Sequence, residues 1–113
     1  MRRALVVGID HYEYCGALYG CVNDAYEVKQ VIERHGDGTV NFDVKLLTAT
    51  GQSDAIDRRS LKSHVEALFA DEPEVAFFYF AGHGWIESTG GYLVTSEGKT
   101  GDDGLPLSDV LHI

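Results

Sequence analysis

The chain has 113 residues, 44% of them hydrophobic and 11% aromatic, which bounds it to one small domain with a real core and excludes a disordered chain. Eighteen acidic against nine basic residues give a formal charge of -9, which argues against a nucleic-acid partner or an anionic membrane surface, since both are bound through basic patches. The apolar run near the N-terminus, Ala4-Leu5-Val6-Val7, is too short for a signal peptide or a membrane span. Two cysteines make no disulfide framework, so the cytoplasm is the expected location.

Ala4 to Ile9 is a short, uninterrupted apolar run, the pattern of a buried strand. Asp10 to Gly20 is a polar, tyrosine-rich loop. A first helix is predicted from about Cys21 to Asn23 through His35, with Ala25, Val28, Val31 and Ile32 at helical spacing and Gly36 just past its end. Phe42 to Leu47 alternates, which suggests a strand nearer an edge. A loop covers Thr48 to Ile56. Asp57 caps a second helix through Ala70, with Leu61, Val65 and Leu68 on one face.

Val75 to Ala81 is apolar or aromatic without a break, which predicts a central strand buried on both faces. It stops at Gly82-His83-Gly84, where two glycines free the backbone and a histidine emerges at the carboxyl end of the strand. In open α/β sheets ligands bind at that edge. Trp85 to Val94 is expected as a hairpin turning at Thr89-Gly90-Gly91, with Trp85 packing the hairpin or walling a groove beside His83. Gly98 to Gly104 is a Gly/Asp-rich loop, and Ser108 is placed to cap a last helix.

The order β-α-β-α-β implies a mostly parallel sheet with helices on its faces. Right-handed crossovers then bring the loop after Ile9, the start of the first helix and His83 to one edge. A histidine there serves as general acid or base, activates a nucleophile, or ligates a metal. No second histidine stands at ligand spacing, and neither a phosphate loop nor a Gly-x-Ser-x-Gly elbow is present. Histidine with a thiol or hydroxyl remains.

Three stretches, Ala4-Leu5-Val6-Val7-Gly8-Ile9, Leu18-Tyr19-Gly20-Cys21-Val22-Asn23-Asp24-Ala25 and Phe77-Phe78-Tyr79-Phe80-Ala81-Gly82-His83-Gly84, make the chain resemble the N-terminal, large-subunit portion of caspase-like cysteine peptidases. The nearest likeness is to metacaspases and bacterial caspase homologues. The resemblance implies a caspase-like three-layer α/β/α fold with a mostly parallel central sheet, incomplete in residues 1–113. It implies that His83 is the histidine of a Cys-His dyad and that the Gly84 N–H helps form an oxyanion hole. Asp24 matches the acid that lines the S1 pocket and selects Arg or Lys at P1. Its other reading is a first-turn acid that complements the helix dipole.

The family's cysteine follows the histidine by roughly 50 residues, whereas both cysteines here, Cys15 and Cys21, precede His83. The expectation is therefore an incomplete catalytic domain, inactive by itself, whose nucleophile lies beyond residue 113. Cys15 and Cys21, both at the predicted active edge, are weighed as substitute nucleophiles, and for Cys21 a helix start can lower the thiol pKa. Ser88 and Thr89 are weighed as hydroxyl alternatives. The expected partners are a peptide or protein substrate with a basic P1 residue, and the C-terminal small-subunit part of the domain or a second chain along an open sheet edge. Nucleic acid and membrane are not expected. No cofactor is expected, with calcium at Gly101-Asp102-Asp103-Gly104 and Asp109 the one candidate. The alternative to a peptidase is a non-catalytic caspase-like scaffold, regulatory module or split subunit.

Overall fold

The computed structural model describes residues 1–88, 90–100 and 103–112. The main sheet holds three parallel strands in the order β2-β1-β3: β1 is Arg2–Ile9, β2 is Asp43–Ala49 and β3 is Val75–Ala81. The middle strand carries the most uniform apolar run, and Ala4 to Ile9 are all buried. Because side chains alternate along a strand, Leu5, Val7 and Ile9 enter a cluster on one face, while Gly8 on the other face meets the first helix.

Helix α1, Cys21–Ile32, and helix α2, Arg58–Phe69, cover the two faces and complete three layers. Both crossovers connect parallel strands, as expected of alternating elements. Helix α2 forms where its sequence predicts. The Asp57 carboxylate accepts the Ser60 N–H at 2.7 Å, and Leu61, Val65 and Leu68 are buried against Leu5, Val7 and Ile9. Each such side chain contributes about 1.5–3 kcal/mol. At the other end of α2, Arg3 Nη1 donates to the carbonyls of Ala67, Leu68 and Ala70 and satisfies the last turn.

Four expectations are corrected. First, among the described residues β3 pairs with a strand on one side alone and is not buried on both faces, since Val75 and Phe77 are exposed. Its apolar run serves two helix-covered faces, but its outer side pairs with no strand among the described residues. Second, α1 stops at Ile32 instead of His35. The chain there leaves helical geometry for an Arg34–Val40 bridge, closed by the His35 N–H on Thr39 O and by Asp37 Oδ1 accepting the Thr39 N–H. Gly38, at φ 87, makes that turn possible.

Third, the hairpin turns earlier than expected. Strand β4, Gly84–Glu87, pairs with β5, Gly90–Leu93, and Glu87 faces Gly90, so Gly90 and Gly91 lie within the strand. Thr89 lies outside the described residues. Fourth, the last helix, α3 (Leu107–Leu111), begins before Ser108, and Pro106 occupies the capping position. Strand β6, Leu105–Pro106, completes a second small sheet in the order β4-β5-β6. Gly104 is required there, because a Cβ would overlap the backbone of Leu93.

Candidate active site

The carboxyl ends of β1 and β3 lie side by side, with Gly8 opposite Ala81. The loop after β1 and the segment after β3 therefore meet at one edge, as the topology requires. His83 follows β3 and is half-buried. Its Nε2 lies 2.6 Å from the Gly16 carbonyl oxygen. A carbonyl can only accept, so the ring nitrogen in this bond must be the N–H donor. The neutral imidazole then carries its proton on Nε2 and its lone pair on Nδ1. Gly16 thus selects the tautomer, and Nδ1 is the basic atom.

Gly84 begins β4 opposite Leu93, and the Val94 N–H donates to His83 O at 3.0 Å. That bond makes Gly84–Leu93 a non-hydrogen-bonded pair of an antiparallel ladder, in which N–H groups turn away from the partner strand. Strand β4 is the outer strand of its sheet, so the Gly84 N–H faces outward next to His83. A Cβ at Gly84 would meet only Tyr92 O, at 3.8 Å, so nothing within the chain demands glycine there. Gly82 is different. A Cβ there would lie 2.5 Å from Tyr12 Oη and 3.0 Å from the Phe80 ring. Neither glycine has positive φ, so space and not backbone freedom explains Gly82.

Asp24 stands in the first turn of α1 and is exposed. It lines a groove of about 320 Å³ between α1 and β3 together with Glu27, Val28, Val31, Ile32 and Tyr79. Partial burial and then the Asp24 carboxylate raise the Tyr79 phenol above its ordinary value. His83 and Gly84 do not line this groove, and no hydrogen bond joins Asp24 to His83 among the described residues.

Neither cysteine is bonded to His83. Cys15 Sγ lies 3.6 Å from Gly98 O. Burial, then the Asp10 and Asp24 carboxylates, push the Cys21 thiol above its ordinary value. The shift is opposite to the lowering expected from the helix start, with burial the first cause and the two carboxylates next. Trp85 is half-exposed on the hairpin, and its Nε1–H donates to Glu87 Oε2 at 3.4 Å. Ser88 is exposed in the turn, with no hydrogen bond to His83 among the described residues, and Thr89 is outside the described residues.

In the acidic loop, Gly101 and Asp102 also lie outside the described residues. The Asp103 carboxylate accepts the N–H groups of Lys99 and Thr100, which lowers its pKa. Among the described residues no group of three or more His, Cys, Asp or Glu could hold a metal ion. No helix there is long and apolar enough to cross a membrane.

Two site residues had no assigned role in the sequence. Asp10 Oδ1 accepts the N–H groups of Cys21 at 2.9 Å and Val22 at 3.4 Å, so the residue that follows β1 caps α1. An acid directly after a buried strand, at the edge where a helix starts, was the available signal. Tyr12 is buried against His83, with ring centroids 4.5 Å apart, and no local pattern marks it.

The caspase domain model of peptidase family C14 matches residues 1–107. The chain is 31% identical over 86 residues to Metacaspase-1 of Schizosaccharomyces pombe, covering 74% of this chain and 20% of that protein. It is 32% identical over 92 residues to Metacaspase-1 of Cryptococcus neoformans, with 74% and 19% covered. It is 31% identical over 87 residues to Metacaspase-2 of Trypanosoma brucei brucei, with 73% and 25% covered. The matched segment spans only 19–25% of the length of these relatives. With the parallel sheet between its helices and a histidine at the sheet's carboxyl edge, the chain belongs to the caspase-domain family of cysteine peptidases.

Proposed function

We propose that residues 1–113 are the histidine-bearing, large-subunit part of a cysteine endopeptidase that cleaves after arginine or lysine, working with a thiol from outside these residues. The observation that carries this reading is the His83–Gly16 bond, which leaves Nδ1 basic beside an outward Gly84 N–H. In the proposed mechanism His83 Nδ1 takes the thiol proton, and the thiolate attacks the scissile carbonyl. The Gly84 N–H stabilises the oxyanion, and His83 returns its proton to the leaving amine. Water then hydrolyses the acyl-enzyme. Asp24 is proposed to receive the P1 cation in its groove, where a carboxylate pairs well with a guanidinium. No metal takes part in this reading.

The edge of β3 supports a structural partner. Val75 and Phe77 are exposed beside a strand edge that is unpaired among the described residues, which fits the C-terminal part of the domain or a second chain. The test is a set of fluorogenic peptides with Arg, Lys, Asp and Ala at P1, assayed on the native polypeptide after its intact mass is measured. Turnover of the Arg and Lys peptides, abolished by His83→Ala and shifted away from basic P1 by Asp24→Ala, is expected. Turnover confined to the Asp peptide would refute the basic preference.

A second reading is a non-catalytic scaffold or split subunit. It is favoured by the cysteines, since neither Cys15 nor Cys21 reaches His83 and Cys21 is held as a thiol. A native mass matching 113 residues, with no turnover of any peptide, would decide for it.

A further inference from the structure

We propose that Tyr12 is a positioning residue for His83: its hydroxyl, inserted between the His83 N–H and the Val94 carbonyl, sets where the imidazole stands. The proposal rests on the reading of His83 as the catalytic histidine. A hydrogen-bonded antiparallel pair exchanges two bonds, one in each direction. At His83 and Val94 one of them is regular, the Val94 N–H on His83 O at 3.0 Å. The reciprocal bond is replaced. The His83 N–H donates to Tyr12 Oη at 2.8 Å, and Tyr12 Oη–H donates to Val94 O at 2.9 Å. The hydroxyl is thus a one-atom spacer that holds the ladder open at the residue carrying the imidazole.

Three further observations fix the spacer. The Tyr12 and His83 rings meet edge to face, with centroids 4.5 Å apart and planes at 62°. Gly82 leaves the room the hydroxyl occupies, since a Cβ would lie 2.5 Å from it. Tyr12 is itself held, only 6% exposed, by a loop whose Asp10 and His11 N–H groups bind Ala49 O and whose Glu13 N–H binds Ser96 O. Burial outweighs the His83 N–H bond and raises the phenol far above its ordinary value, so the hydroxyl keeps the proton it donates to Val94. Without the hydroxyl, the His83 N–H and Val94 O can bond directly. The ladder would close and draw the imidazole off Gly16.

The readout is the His83 ring, observed by proton–nitrogen NMR at neutral pH in the full chain. The unmodified chain should show one neutral tautomer with a slowly exchanging Hε2 proton. In Tyr12→Phe that proton should exchange about 10-fold faster or vanish, as expected for loss of a hydrogen bond of ordinary strength. A merely structural tyrosine would lower the melting temperature and leave the ring signal in place, and that result overturns the proposal. Gly82→Ala keeps the hydroxyl but crowds it, and should move the same signal even where Tyr12→Phe does not fold. Should neither variant fold, the unmodified chain still decides. The Tyr12 hydroxyl proton must show a through-space contact to the His83 amide, and its absence overturns the proposal. His83→Ala in the peptide assay keeps the two readings apart: retained turnover removes the catalytic role alone, and an unmoved ring signal in Tyr12→Phe removes the positioning alone.

Discussion

Helices α1 and α2 are both 12 residues long and lie on opposite faces of the same sheet, yet they are used differently. Helix α2 buries Leu61, Val65 and Leu68 and is capped by its own Asp57. Helix α1 buries only Ala25, leaves Val31 76% exposed, and has its N-terminus capped by Asp10 from the end of β1. The face under α2 holds the fold together. The α1 side and the adjoining sheet edge carry Asp24 and His83, where burial is incomplete and where the proposed function places the substrate. Functional elements are commonly drawn from the less stable part of a structure.

Truncation of the two helices tests this contrast most strongly. Leu61→Ala should destabilise the chain by about 2–5 kcal/mol, the usual cost of emptying a core leucine. Val31→Ala should stay within about 0.5 kcal/mol, as for exposed positions. Urea unfolding measures both. Equal losses would mean that α1 is covered in solution as thoroughly as α2.

Alkaline pH gives the next effect, and it acts through the edge instead of the core. The Tyr12 phenol is raised in the folded state, so above about pH 10 the unfolded chain loses its proton first. The unfolded state then binds fewer protons, and stability falls as pH rises, by at most about 1.4 kcal/mol per unit for one group. Cys21 and Tyr79 are also raised and slope the same way. Comparison with Tyr12→Phe isolates the Tyr12 share. A stability profile unchanged by that substitution between pH 9 and 11 would contradict it.

The caps offer a smaller, paired test. Asp57→Ala and Asp10→Ala should each cost about 1 kcal/mol. They differ in what else the carboxylate acts on. The Asp10 carboxylate helps to keep Cys21 protonated, so Asp10→Ala should lower the thiol pKa and speed its alkylation near pH 8, in a Cys15→Ser background. Asp57→Ala should leave alkylation unchanged.

What the sequence reveals follows the same division. Helix α2 is legible because cap, spacing and burial all agree within 13 residues, Asp57 to Phe69. The shared edge of β1 and β3 follows from element order alone. The open outer side of β3 agrees with the open sheet edge expected from element order, but the exposure of Val75 and Phe77 was not legible, because an unbroken apolar run does not say what covers each face. The end of α1 was missed because Glu33, Arg34 and His35 suit the polar face of a helix and Gly36 reads as its stop, whereas Asp37 and Gly38 build a competing turn just beyond. Tyr12 lies 71 residues from His83, and its role depends on one hydroxyl entering a ladder, which no periodicity encodes.

Gly84→Ala gives the smallest effect on stability and separates fold from function most cleanly. A Cβ at this position has only one neighbour, Tyr92 O at 3.8 Å, which is ordinary contact, so unfolding should move by less than about 0.5 kcal/mol. The N–H survives the substitution, and the ladder with Leu93 needs no change. What the methyl occupies is the open space beside the outward N–H, where the proposed mechanism brings a substrate carbonyl close. Turnover of the Arg and Lys peptides should therefore fall in a protein of unchanged melting temperature. Gly82→Ala supplies the contrast one residue before His83. Its methyl meets Tyr12 Oη at 2.5 Å, so stability and the ring signal should both move. If Gly84→Ala were the destabilising member of the pair, glycine at that position would serve the hairpin and not a reacting oxygen.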